Sequence, residues 1–525
     1  MVFHTPCYVP VFTVFYFSSM NKFHHNIILL ILLFHCSLLQ SNSLESPIST
    51  SRTAMRMSTA TTITAAAPPK LKVAVIGAGA AGLAAARILS RNGIETTVLE
   101  KDAEIGGVWS YNPNSATRPM YRGLRTNLPR EIMAYREYKW GGDGKSMSYV
   151  THSQVKDYLK DYAKDMKLEE LIQFRSSVRQ LAVCQERSNA NASWPKIALE
   201  WEKQGDEDMV HINSEVFDAV CVCNGHYAAP ANPIIPGMEQ WFRGTTMHSI
   251  EYDDPSIFAD KTVLCIGGRA SGADLAREIS AHATTVYLSD TTCPSLEERN
   301  GEPITEGNVA WVPRTTGVNP DSTILFGPTC KETPQVDVIV FCSGYDYQFP
   351  FINDKSNLEL SVIPGERRIK PLYEQMWHAR HPSIAFIGLQ HSVVPFPFFE
   401  LQAEAIVSQI LHSSSWSLPP LEERLEAAEK DAISGGPKEP GRLQDTHYLG
   451  SHQWDSCFKY AKFAGENDKS LQRHIQTNKA IYEHSNEQRN GLFPGGPDVY
   501  RYNSYVRDDE NQSFQVFSLR DEIMV

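Results

Sequence analysis

Two glycine runs, each set between a buried-strand pattern and a helical pattern, are where this chain shows chemistry. The first is Gly77-Ala78-Gly79-Ala80-Ala81-Gly82. It follows the valine-rich run LKVAVI at residues 71–76 and precedes Leu83, Ala86, Ile88 and Leu89 at helical spacing, with a stop at Asn92-Gly93. At this spacing Gly77 permits a tight turn, Gly79 lets backbone approach a pyrophosphate, and Gly82 lets helix and strand pack closely. The start of the helix offers unpaired N–H groups and positive potential to the phosphates. A second strand over Glu95–Leu99 ends in Glu100, whose carboxylate is placed to accept both ribose hydroxyls and to repel a 2′-phosphate. Beyond it, Gly106-Gly107-Val108-Trp109 presses more side-chain-free backbone against the same ligand, which favours the larger FAD over NAD.

The pattern recurs about 190 residues along the chain. The run KTVLCI at residues 261–266 leads into Gly267-Gly268-Arg269-Ala270-Ser271-Gly272, a helix through Leu275, Ala276 and Ile279, and a strand from Thr285 to Leu288. Two such units in one chain call for two dinucleotides. Arg269 replaces the middle glycine, where a guanidinium is suited to a phosphate contact. Asp290, at the end of the second strand, pulls the other way, since an acid there holds a free ribose 2′-OH. Competing sites are weaker. Cys221 and Cys223 lie on the apolar run VFDAVCVC and read as buried structural residues, and no cysteine pair follows the first glycine turn as a disulfide reductase requires. His447, His452 and Cys457 lack a second pair at metal-ligand spacing, so no metal site is expected.

These motifs, in this order, resemble the flavin-containing monooxygenases. LKVAVIGAGAAGLAAARIL and EKDAEIGGVW are similar to the family's FAD site, and LRTNLPREIMAY to its segment placing an asparagine, here Asn127, beside the flavin ring. CNGHYAAPANPIIPG resembles the return to the second nucleotide domain. Phe242 to Tyr252 matches the signature F-x-G-x-x-x-H-x-x-x-Y, supplying His248 and Tyr252; the related Baeyer–Villiger enzymes carry Trp-Pro where Tyr252 stands. VIVFCSGY at Val338–Tyr345 resembles the strand-to-glycine link between domains and puts Gly344 at the cofactor site, and LYEQMWHARHPSIAFIGLQ resembles the closing FAD-domain element. The likeness covers about residues 71–410, and the C-terminal run QWDSCFKYAKFAG is most like insect-type members.

The resemblance implies FAD and NADPH, and transfer of one oxygen atom from O2, through a peroxyflavin, to the nitrogen or sulfur of a small amine or sulfide, as in xenobiotic metabolism. It implies no nucleophilic side chain. Asn127 would donate hydrogen bonds near the reacting edge of the flavin, while His248 and Tyr252 would hold the linker between nucleotide domains and steer coenzyme reduction. Arg269 is expected to be the main 2′-phosphate contact. Two other readings stay open: a Baeyer–Villiger-type monooxygenase, and a flavin-containing binding protein without turnover.

The elements that position these residues set the architecture. At 525 residues the chain has room for about three globular units, and with 42% hydrophobic and 21% charged residues it is able to bury a large core. A formal net charge of −12 argues against a nucleic-acid partner, and ten irregularly spaced cysteines exclude a small disulfide scaffold. The expected fold is α/β, with two Rossmann-like dinucleotide-binding domains, the smaller inserted into the larger. The expected boundaries are a signal-like segment and linker over 1–69, an FAD domain in two segments over 70–245 and 335–450, an NADP domain over 246–334, and a C-terminal extension over 451–525 that wraps the FAD domain as an extended tail. Lys22, the apolar run Ile27–Phe34 and the small polar exit Ser41-Asn42-Ser43 have the layout of a secretory signal, with an endoplasmic-reticulum anchor as the alternative. Translation from Met55 or Met57 would instead give a cytoplasmic product.

Overall fold

The computed structural model describes residues 70–114, 118–140, 146–184, 194–205, 209–363, 367–412, 416–434, 445–465, 468–490 and 493–520. The signal-like run and the linker before Lys70 lie outside the described residues.

Strand β1 (Lys72–Ile76) shows why the first run carries almost no polar residue. It lies between β2 (Glu95–Leu99) and β3 (Ala219–Val222), parallel to both, with Val73 opposite Thr96 on one side and Ala219 on the other. Its alternate side chains serve two cores. Val73 and Val75 pack with the helices α1 (Ala80–Arg91) and, much later in the chain, Pro395–Leu411. Ala74 and Ile76 face a three-stranded antiparallel layer formed by Ser176–Val183, Ile197–Gln204 and Val210–Phe217. A strand covered on both faces reads as a continuous apolar run. α1 ends at Asn92, and Gly93 at φ +76° turns the chain back into β2.

The second unit repeats this logic. β4 (Thr245–His248), β5 (Thr262–Ile266), the helix α2 (Ala270–Ser280), β6 (Thr285–Ser289), β7 (Val309–Val312) and β8 (Val338–Phe341) build a sheet ordered β7-β6-β5-β8-β4, with Ile304–Glu306 added antiparallel at the β7 edge. Val263 and Cys265 meet α2, while Leu264 and Ile266 meet a separate cluster containing Val312, Ile324 and Phe326.

The domain boundaries move in two places. β8 was expected in the second FAD segment, but it sits between β5 and β4, with Val338 opposite both Val263 and Thr245. An apolar strand is buried in either sheet, so its composition does not choose between them; the parallel pairing with β5 does. Thr245, one residue before the expected start, also belongs to this sheet. The first sheet is completed instead by β9 (Ile384–Phe386), parallel to β3, and by Leu372–Tyr373 and Trp377–His378 at its edge.

The C-terminal extension is helical rather than an extended tail. Helices Gln453–Phe463 and Lys469–Asn490 place Trp454, Tyr460, Leu471 and Ile475 in the first core, and a hairpin follows over Asn503–Ser518. The extension also clasps α2. Arg501 bonds both Asp274 oxygens at 3.0 and 3.1 Å, and Arg277 Nε donates to Gly496 O at 2.7 Å.

Candidate functional site at the two nucleotide-binding turns

Both glycine turns close in the same way. Gly77 N–H donates to Leu99 O and Gly267 N–H to Ser289 O, each at 2.8 Å, pinning the turn to the end of the neighbouring strand. Gly77 and Gly267 sit at φ +104° and +111°, where an added Cβ would lie 2.7 Å from Cys223 O or 2.6 Å from Cys342 O. Gly82 and Gly272 face a tighter limit: a Cβ would stand 1.8 Å from Gly77 O, or 1.6 Å from Gly267 O. Neither α1 nor α2 has a side-chain cap, so their first N–H groups remain available to an anion.

At the first turn backbone approaches backbone. A Cβ on Gly107 would stand 2.9 Å from Gly79 Cα, and Gly106 N–H donates to Ala78 O at 3.2 Å. The result is a cradle free of side chains, followed by the short turn Gly107–Trp109 with Trp109 packed against the first core. Glu100 is 4% exposed; its Oε2 accepts from Ala78 N–H at 2.6 Å and its Oε1 from Asp102 N–H at 2.8 Å. Burial raises its pKa, and the two backbone donors oppose that rise. Each oxygen keeps a second lone pair for a ribose hydroxyl. These residues fit FAD. Glu100→Gln exchanges one acceptor oxygen for a donor facing another donor. It is expected to weaken FAD binding by about 1.5–3 kcal/mol. Flavin titration of the apoprotein measures this, and an unchanged Kd would remove the ribose role.

At the second turn Arg269 is the N-cap of α2, with φ −72° and ψ −169°, nearly the values of Gly79, −76° and −176°. That is extended backbone any residue adopts, so glycine is not required there. The guanidinium is half exposed, 3.4 Å from Asp445 Oδ1 and 5.5 Å over the Tyr448 ring. It is therefore engaged with the FAD-domain side, a placement that does not support its expected role as main 2′-phosphate contact. Asp290 turns onto its own loop, accepting from Thr291 N–H at 2.8 Å and from the Thr292 hydroxyl. Ser271 is exposed in the first turn of α2.

His248 and Gly344 are brought together. Ile250 N–H donates to His248 Nδ1 at 3.2 Å, so the proton is on Nε2, which donates to Gly344 O at 3.1 Å. Burial lowers the pKa of this ring, keeping it neutral. His248 thus ties the end of β4 to the linker leaving β8. Tyr252 is buried and its hydroxyl donates to Glu278 Oε2 at 2.7 Å, bracing α2. Asn127 is half-buried, and its amide makes no hydrogen bond to any described residue. Its backbone is held on both sides: Thr126 N–H donates to Val150 O and Arg130 N–H to Ser148 O, each at 2.8 Å.

His226 escaped the sequence reading. Its Nδ1–H donates to Gly388 O at 2.9 Å, and burial lowers its pKa to about 4, so the ring is neutral and Nε2 is a buried acceptor without a partner among the described residues. A Cβ on Gly388 would lie 3.5 Å from Ala81 Cβ, which places this group behind the start of α1. The available signal was its position just past the carboxyl end of β3, where parallel sheets bind ligands. His447 is consumed by packing: Nε2 accepts from Ile369 N–H at 3.1 Å and Nδ1 faces Gln375 Oε1 at 3.3 Å. Cys221 and Cys223 are buried free thiols whose pKa burial pushes up, for Cys221 to about 12.

The flavin-binding monooxygenase-like family profile matches residues 70–303 and 296–434. The chain belongs to this family. It is similar to flavin-containing monooxygenase FMO GS-OX-like 2 of Arabidopsis thaliana, with 34% identity over 413 residues, 74% of this chain and 83% of that protein. It is equally similar to FMO GS-OX5 of the same plant, 34% over 438 residues, 78% and 89% of the two chains. Among solved structures, S-allyl-L-cysteine S-oxygenase from Allium sativum is similar at 30% identity with a TM-score of 0.70, covering 85% of this chain and 97% of that one. Tmm from Pelagibacter sp. strain HTCC7211 shares the fold, at 21% identity and a TM-score of 0.65 over 84% and 95%. These relatives leave the insect-type likeness of the C-terminal run as an expectation.

This monooxygenase uses FAD and NADPH, O2 and a small-molecule substrate. The bound flavin supplies the redox and oxygen-activating chemistry. The chain's part is placement: uncapped helix starts and glycine backbone would hold phosphates and Glu100 would hold a ribose, while His248 ties the end of β4 to the linker leaving β8.

Proposed function

We propose that this monooxygenase oxygenates a soft nucleophile, thioether sulfur first and amine nitrogen second. The observation that carries this reading is the likeness to a sulfur oxygenase over nearly the whole of that chain, 97% at 30% identity. The side chains agree with it. Asn127 has an amide bonded to no described residue, on a backbone clamped at both sides, as a group that orients flavin and coenzyme requires. His248 is neutral and bonded to Gly344, so it serves as a positioning residue for the linker. A signal-like segment at Ile27–Phe34 supports entry into the secretory pathway with endoplasmic-reticulum association, which fractionation of the tagged full chain would check.

The test is coupled turnover of the FAD-loaded enzyme with NADPH over a panel of thioethers, tertiary amines and cyclic ketones. Sulfoxide formed in step with NADPH consumed is the expected result. Lactone from the ketones would select the Baeyer–Villiger reading. NADPH oxidation unaltered by every substrate, with all electrons reaching hydrogen peroxide, would refute substrate oxygenation by these classes.

A further inference from the structure

Parallel sheets present ligand groups beyond the carboxyl ends of their strands. At the second nucleotide unit the acid-bearing strand β6 ends at Ser289, and its parallel neighbour β7 ends in register with it, Ser289 opposite Val312. Asp290 N–H donates to Val312 O at 3.1 Å. The Ser289 hydroxyl donates to Pro313 O at 3.1 Å and accepts from Thr315 N–H at 2.8 Å. These bonds grip the backbone on both sides of Arg314, fixing that residue one strand over from Asp290. Arg314 is exposed, and its guanidinium makes no hydrogen bond or ion pair with any described residue.

Asp290 sits where such units meet the ribose 2′ position. It packs directly on the second glycine turn, since a Cβ on Gly268 would stand 2.6 Å from Asp290 Oδ2. Its carboxylate accepts from the Thr291 N–H and the Thr292 hydroxyl, one on each oxygen, which holds it on its own loop. A 2′-phosphate beside this carboxylate needs a counter-charge. Arg269 is turned to Asp445 and Tyr448. We infer that Arg314 binds the 2′-phosphate of NADPH, and that the chain separates NADPH from NADH at this residue rather than at Arg269. The inference rests on the second nucleotide site being occupied by the nicotinamide coenzyme. A guanidinium is suited to the task because it pairs with phosphate through two parallel N–H bonds.

The experiment is calorimetric binding of 2′,5′-ADP and 5′-AMP to the FAD-loaded full chain, in the parent, Arg314→Ala and Arg269→Ala. Arg314→Ala is expected to weaken 2′,5′-ADP about 10- to 100-fold while leaving 5′-AMP unchanged. Arg269→Ala is expected to leave the ratio of the two affinities as it is in the parent. Flavin content and Tm check the fold, and an exposed side chain without partners among the described residues should move neither. An unchanged ratio in Arg314→Ala, or a ratio that falls in Arg269→Ala, overturns the inference. A parent that binds neither probe, nor NADP+ or NAD+, removes the coenzyme site and the inference with it; a discriminating parent with an unaltered Arg314→Ala removes the inference alone.

Discussion

Gly272→Ala is expected to strip coenzyme binding from a protein that still carries its flavin. The added Cβ would stand 1.6 Å from Gly267 O, and neither atom belongs to a side chain able to swing away. Cys342 Cβ, at 3.4 Å, closes another side of the space. α2 has to lift from β5, taking its uncapped N–H groups away from the phosphates. Ordinary overpacking costs about 1–3 kcal/mol, and backbone pressed on backbone belongs at or above the upper end. At ~3 kcal/mol NADP+ binds about 100-fold more weakly. The damage stays local because Val263, Cys265, Leu275 and Ile279 form a cluster apart from the one holding Val73, Val75 and Leu83. Flavin absorbance of the purified variant together with NADP+ titration reads both halves of the prediction. NADP+ affinity within about threefold of the parent would show that this turn is not where the coenzyme sits. The corresponding change at the first turn, Gly82→Ala, reverses the pattern and costs the flavin.

Asn127→Ala is expected to keep FAD and lose oxygen transfer. The amide bonds to no described residue, so its removal strands no partner among them and should leave the fold intact. The loss falls on a positioned donor, and deleting one donor near developing charge typically lowers the rate by 10²–10³, about 2.7–4 kcal/mol. NADPH consumption should continue while the electrons appear as hydrogen peroxide. The measurement is product formed per NADPH consumed, with peroxide quantified alongside. A variant that retains the parent's stoichiometry would reduce Asn127 to a turn residue before Pro129.

What was legible in the chain is what local sequence determines. LKVAVI announced a strand covered on both faces, and Asn92-Gly93 announced the helix end, because turn and strand chemistry are read within a few residues. Gly82 and Gly272 were legible because no other residue fits. β8 was assigned to the wrong sheet because its apolar residues suit either. Arg269 stood out as a break in a glycine pattern, yet its backbone at φ −72° places no demand on glycine, so the break carried less information than it seemed to. His226, and the place of Arg314 one strand over from Asp290, depend on neighbours supplied by distant strands, which spacing along the chain does not reveal. The C-terminal helices were missed because the runs Pro419-Pro420 and Gly435-Gly436-Pro437, which in the sequence favour an extended tail, precede Gln453 and say nothing of the packing of Gln453–Phe463 and Lys469–Asn490.

The pairing of β3 with β9 has a bearing on biosynthesis. About 160 residues separate the two strands, and the whole coenzyme domain is translated between them. At ordinary elongation rates of roughly 5–20 residues per second, β3 waits about 8–30 s on the ribosome with one edge open. During that interval its unpaired backbone groups, and the apolar flank carrying Cys221 and Cys223, form a template for pairing with a neighbouring nascent chain. The inserted domain has all its own strands by Phe341 and is free to close first. Slowed translation between residues 222 and 384, or release of a chain ending there, would therefore feed aggregation rather than yield a smaller active fragment.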